Sequence, residues 1–153
     1  MRSGRAVRVA GFTLIEVVVA MVVAAILAAI AIPQYTAYTK RAKRSEAKAV
    51  LAQAAQFMER NYTQAGAYNL DAAANPPAAL AALPASMSQA PLSGTANYLI
   101  TLSAVAAQSF TLSATPVGSP GFTDADCGTL TLDNTGLQGA TGGTLSAADC
   151  WRR

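Results

Sequence analysis

At 153 residues the chain suits one domain with a modest core. Hydrophobic residues make up 52% but crowd toward the N-terminus, and the absence of histidine removes the commonest general base and transition-metal ligand. The formal charge of +3 matches Arg2, Arg5 and Arg8: from Phe12 on, eight basic side chains balance eight acidic ones, so charge does not favour nucleic acid.

Residues Met1 to Ala10 are basic and free of acids, and Gly11 follows. Phe12-Thr13-Leu14-Ile15-Glu16 then opens an apolar block in which Val17 to Ile32 are sixteen apolar residues in a row. Phe12 to Ile32 amounts to about 31 Å of helix, which matches a bilayer core. A secretory signal would carry an apolar core of roughly 7–15 residues and then a small-residue cleavage site. Here the run is longer, and Ile32-Pro33-Gln34 is a poor site. Gly11, ahead of the run, is the small residue placed for a cut that keeps the anchor.

Glu16 is the anomaly. A carboxylate in a membrane helix costs roughly 2.5–3.5 kcal/mol on insertion scales if it resembles Asp there, so it needs a partner. Cleavage after Gly11 would put the new Phe12 amine one helical turn away, on the same chain or on a neighbour, and pairing would offset part of the desolvation cost. The alternative is a Glu16 solvated at the headgroup level.

Gly11-Phe12-Thr13-Leu14-Ile15-Glu16, behind a short basic leader and ahead of an apolar helix, resembles the type IV prepilin signature. The resemblance implies that a prepilin peptidase cuts between Gly11 and Phe12 and methylates the Phe12 amine. It also implies that Glu16 contacts the Phe12 amine of a neighbouring subunit during assembly. The implied fold is the α+β pilin fold: a long kinked N-terminal helix packed on a small antiparallel sheet, with a disulfide-closed C-terminal loop. The family includes the pseudopilins of type II secretion, which share this segment.

Pro33 follows the apolar run and predicts a kink, because it removes one helical hydrogen bond and crowds the preceding turn. Beyond it Ala47, Val50, Leu51, Ala54, Phe57 and Met58 form a helical stripe, with Lys43, Lys48, Gln53 and Arg60 opposite and Tyr35, Tyr38 and Ala42 bridging the halves. One helix from Thr13 to about Asn61 is expected, ended by Gly66. Lys40, Arg41, Lys43, Arg44 and Lys48 form the densest charge cluster. Anionic headgroups, DNA and acidic partners are all open to it, and a solvated face is the plainer reading. No interleaved aromatics or recognition fold support nucleic acid. Positive-inside counting sets three leader arginines against these five, so an external C-terminus rests on the cysteine pair and the resemblance.

Residues 61–96 are rich in Ala and Pro and predict a loop with a short helix near Ala78 to Leu83, pinned to the sheet by Tyr62, Tyr68, Leu70, Leu80 and Leu83. From Asn97 the period becomes two. Tyr98, Ile100, Leu102 and Ala104 form one apolar row, Phe110, Leu112 and Ala114 a second, and Leu130 and Leu132 a third. Three antiparallel strands follow, with their apolar face on the helical stripe and a hairpin over Ala106-Ala107-Gln108.

Cys127 and Cys150 are the only cysteines, too few for a four-ligand zinc site. They suit a disulfide in an oxidising compartment; two reduced thiols are the alternative. The loop they bound contains five glycines. The ending Cys150-Trp151-Arg152-Arg153 resembles minor-pilin-like C-termini. Asp124-Ala125-Asp126 offers too few carboxylates for calcium and reads as a polar turn.

The chain therefore divides into a leader 1–11, a membrane or filament-core helix 12–32, its amphipathic continuation 33–60, a loop 61–96, and the sheet with its disulfide region 97–153. No catalytic residue, cofactor or metal is assigned. The expected function is a structural subunit of a type IV pilus for adhesion, twitching motility or DNA uptake. The competing readings are a type II secretion pseudopilin and a non-polymerising anchored binding protein. The resemblance implies other pilin subunits, the prepilin peptidase, inner-membrane assembly machinery driven by a cytoplasmic ATPase, and the membrane itself as partners. It places the precursor in the bacterial inner membrane and the product on the surface.

Overall fold

The computed structural model describes residues 12–73, 78–80 and 82–152. The chain divides into two units, one through Tyr38 and one from Thr39 onward. Residues 1–11, and with them Gly11, lie outside the described residues.

The first unit is the beginning of helix α1, Leu14–Ala65. Its Val17, Val18, Val19, Val22 and Val23 are β-branched and weak helix formers in water. In lipid each backbone group must be satisfied within its own segment, which favours a helix whatever the propensity. Every side chain from Phe12 to Thr36 is exposed. Among the described residues this is the one helix long and apolar enough to cross a bilayer. The helix runs through Pro33, so that residue is not a boundary, and Thr36 Oγ1 donates to the Pro33 carbonyl at 2.9 Å.

In the second unit the rest of α1 buries Ala47, Val50, Leu51, Ala54 and Met58, the stripe its spacing predicts. The helix passes Asn61 and ends at Ala65, where Gly66 turns away with φ +77°. Asn61 does not stop it. Its amide instead ties the following loop down, donating to the Leu70 carbonyl and accepting from Ala72 N–H.

Among the described residues, the predicted helix at Ala78–Leu83 does not form. Ala78–Ala79 form the short strand β2, paired with β1, Leu70–Asp71, and the helical turn comes later as a 3₁₀ segment, Ala85–Met87. Pro84 accounts for the shift: a proline disfavours helix at the residue before it and is itself an acceptable start. Tyr68 and Leu80 are buried and Tyr62 and Leu83 half-buried, so the loop is fixed to the core.

The main sheet has five strands rather than three: β3, Gln89–Ala90; β4, Tyr98–Ala106; β5, Ser109–Pro116; β6, Gly128–Asp133; and β7, Gln138–Gly142. They lie in chain order and every neighbour is antiparallel. The β4–β5 hairpin turns over Ala107-Gln108. The inner face presents Tyr98, Ile100, Phe110, Leu112, Ala114 and Leu130 to the helical stripe in one core. One inward residue differs from expectation. A bulge between Leu102 and Ala104 inserts an extra residue, so Ala104 is exposed and Val105, opposite Phe110, takes the half-buried place.

Candidate functional site

At the start of α1, Thr13 Oγ1 accepts Glu16 N–H at 3.3 Å and the Thr13 carbonyl accepts Val17 N–H at 3.3 Å. Thr13 is therefore the N-cap, and the Thr-x-x-Glu spacing puts Glu16 in the first turn, where the helix dipole favours an acid. Sequence reasoning missed this cap, although its spacing was visible. Phe12 is 84% exposed, and Phe12, Glu16, Val17, Ala20, Met21 and Ala24 line one open groove on the helix. Phe12 and Glu16 thus share a face at the head of a bare apolar rod.

Arg41 is exposed, but the rest of the basic cluster is not a solvated face. Arg44 is 3% exposed and holds Asp124 in a two-point grip: Nε donates to Oδ2 and Nη2 to Oδ1, both at 2.6 Å. Nη2 also donates to Asp126 Oδ2 at 2.7 Å. Asp124, 4% exposed, further accepts Tyr98 OH at 2.6 Å and Cys127 N–H at 3.2 Å. Burial alone would raise the Asp124 carboxyl, but bonds from Arg44 and Tyr98 outweigh it and hold the group below the usual carboxylate range. Burial, then donation to Asp124, pushes the Tyr98 phenol up. Asp124-Ala125-Asp126 is thus the acidic half of an ion-pair clasp rather than a plain turn. Arg44 was legible in principle, because positions 44, 47, 51, 54, 58 and 61 follow helical spacing and all are buried.

Neighbouring cations join the same structure. Lys40 lies 3.7 Å from Asp126, and Lys43 Nζ sits 4.4 Å from the Phe122 ring centroid. Lys48 Nζ donates to the Trp151 carbonyl at 3.0 Å; burial, then the charge of Arg44, lowers its pKa.

Cys127 and Cys150 form a disulfide with Cα atoms 5.7 Å apart, and both residues are fully buried. Helix α2, Ala147–Arg152, carries Cys150 and is capped by Ser146, whose Oγ accepts Asp149 N–H at 3.2 Å and donates to Asp149 Oδ2 at 2.8 Å. Trp151 Nε1 donates to the Gly139 carbonyl at 2.8 Å, fastening α2 to β7. Gly128, at φ +59°, lets the bounded loop close, because a Cβ there would strike the Thr141 carbonyl.

An exposed apolar helix headed by a methylation-type segment, joined to a disulfide-closed sheet domain, defines a type IV pilin. Residues 7–32 match the model of the prokaryotic N-terminal methylation motif. Residues 33–131 match the family described as type IV minor pilin ComP, DNA uptake sequence receptor, and the chain belongs to that family. The chain is also similar to the crystal structure of the Neisseria meningitidis non-core minor pilin PilV, at 26% identity over 72% of this chain and 94% of that one, with a TM-score of 0.49. The chain is a subunit of a type IV pilus, and its family and fold are those of structural pilins.

Proposed function

We propose that the precursor inserts in the bacterial inner membrane and is cut between Gly11 and Phe12 by a prepilin peptidase, which methylates the Phe12 amine. Residues 12–32 then leave the bilayer for the filament core, residues 33–60 continue the helix past a kink at Pro33, and residues 61–96 and 97–153 form the surface domain. Its role is structural rather than catalytic. Lipid already shields the helix, so burial gives little net drive for extraction, and inner-membrane assembly machinery supplies it.

The observation that supports this reading best is the chemistry of the exposed rod. Glu16 is its sole charged side chain from Phe12 to Thr39, and it shares a groove with Phe12. A carboxylate there is costly in lipid unless a cation meets it, and the Phe12 amine of an adjacent subunit is that cation. Glu16→Ala is expected to insert and be cleaved normally while its recovery in sheared filaments falls several-fold. Unchanged recovery would remove the pairing.

A second reading, reception of DNA, is favoured by the family match over residues 33–131. The cationic surface available for it is thin. Of the described basic residues Arg41, Arg60 and Arg152 are exposed, while Arg44 is buried and Lys40, Lys43 and Lys48 are engaged within the domain. Few phosphate contacts mean weak binding with a shallow salt dependence, so the filament role leads.

A further inference from the structure

Arg44 and Lys48 lie one turn apart on α1, and each reaches a segment that carries one half of the disulfide. Arg44 holds Asp124, whose Oδ1 accepts Cys127 N–H at 3.2 Å and whose carbonyl accepts Gly128 N–H at 2.8 Å. Cys127 is thus seated from the arginine side. Lys48 Nζ donates at 3.0 Å to the carbonyl of Trp151, the residue after Cys150, and lies 5.9 Å from the centroid of its indole ring. The indole in turn is bonded to Gly139 on β7. Cys150 is seated from the lysine side. Leu145 N–H also donates to the Asp126 carbonyl at 2.8 Å, joining the two cysteine-bearing segments directly. None of these bonds involves a sulfur atom.

We propose that Arg44 and Lys48 form a helix-borne template that sets Cys127 and Cys150 side by side while their thiols are still reduced, so that α1 directs disulfide closure. With a small disulfide oxidant such as oxidised glutathione, one protein thiolate attacks the oxidant's S–S bond. That step forms a mixed disulfide and releases one glutathione thiolate. The second protein thiolate attacks the protein sulfur of the mixed disulfide and expels the other glutathione. Two protein thiols are oxidised, one oxidant is reduced to two glutathiones, and the thiol protons pass to the departing thiolates. The template acts on the second, intramolecular attack by raising the effective concentration of one thiol at the other. By linkage the closed bridge returns the same free energy to the clasp.

The test equilibrates the full chain, in detergent micelles, with graded glutathione buffers and reads the effective concentration of the cysteine pair. Arg44→Met is expected to lower it roughly tenfold and Lys48→Met roughly threefold, the part of the lost charged hydrogen bonding, at a buried and a half-buried side chain, that reaches the cysteine pair. Lys48→Arg is expected to restore the wild-type value. Met58→Ala opens the core at the far end of the buried stripe without touching either cysteine segment, and should stay within about twofold of wild type. Lys48 is half-buried, so Lys48→Met retains the fold by circular dichroism and decides the question even if Arg44→Met does not fold. A Lys48→Met value equal to wild type overturns the template. So does a fall in Met58→Ala as large as that in Arg44→Met, since pairing would then follow overall stability alone.

Discussion

Asp124→Ala is expected to destabilise the folded unit from Thr39 onward by roughly 3–5 kcal/mol, the usual effect of removing one partner of a buried ion pair. Several groups lose their partner at once. Among the described residues Arg44, 3% exposed, keeps only Asp126 as acceptor, and the buried Tyr98 hydroxyl and the Cys127 N–H lose theirs. Asp126→Ala is a useful contrast. Its side chain is 41% exposed and water can replace it at Arg44, so about 1 kcal/mol or less is expected. Urea unfolding of the oxidised chain at neutral pH checks both, and a loss below about 1 kcal/mol for Asp124→Ala would contradict the clasp.

The same carboxylate sets an acid limit. Its folded pKa lies below the unfolded value of about 3.9, so folding releases protons in that range. The stabilisation is complete above the unfolded pKa and is lost as pH falls through the folded one. Asp133, held down mainly by its bond from Thr135, shifts in the same direction from an exposed turn. Asp124→Asn is expected to flatten the acid limb without removing the smaller Asp133 contribution.

Cys127→Ser is expected to be the other large loss. The bridge closes a loop of 24 residues, and opening it restores chain entropy to the unfolded state worth about 3 kcal/mol. For a domain of this size that lowers the melting temperature by on the order of 10 °C. The serine hydroxyl and the remaining thiol would also sit in places now fully buried. Differential scanning calorimetry under oxidising conditions measures the effect, and unchanged melting would deny the bridge a stabilising role.

Sequence alone makes the local features legible and hides the distant ones. The apolar rod, the buried stripe and the long strands each repeat a period within one segment, so they can be read without a partner. Strand β7 cannot: Gln138-Gly139-Ala140-Thr141-Gly142 holds no large apolar residue to alternate, and its place comes from pairing with β6. The bulge that exposes Ala104 is set by cross-strand register, which period-two counting ignores. The pairing of Arg44 with Asp124 joins positions 80 residues apart. A charge run invites a solvated reading, and only the acid across the fold makes burial of Arg44 tolerable. The Cys127–Cys150 pair was legible because two cysteines allow a single intrachain connection.

The central claim is an anchor that survives processing. Intact mass and N-terminal sequencing of this chain from sheared surface filaments test it directly. The expected polypeptide begins with N-methylated Phe12 and retains residues 12–32. A chain that begins at Met1, or downstream of Pro33, would contradict it.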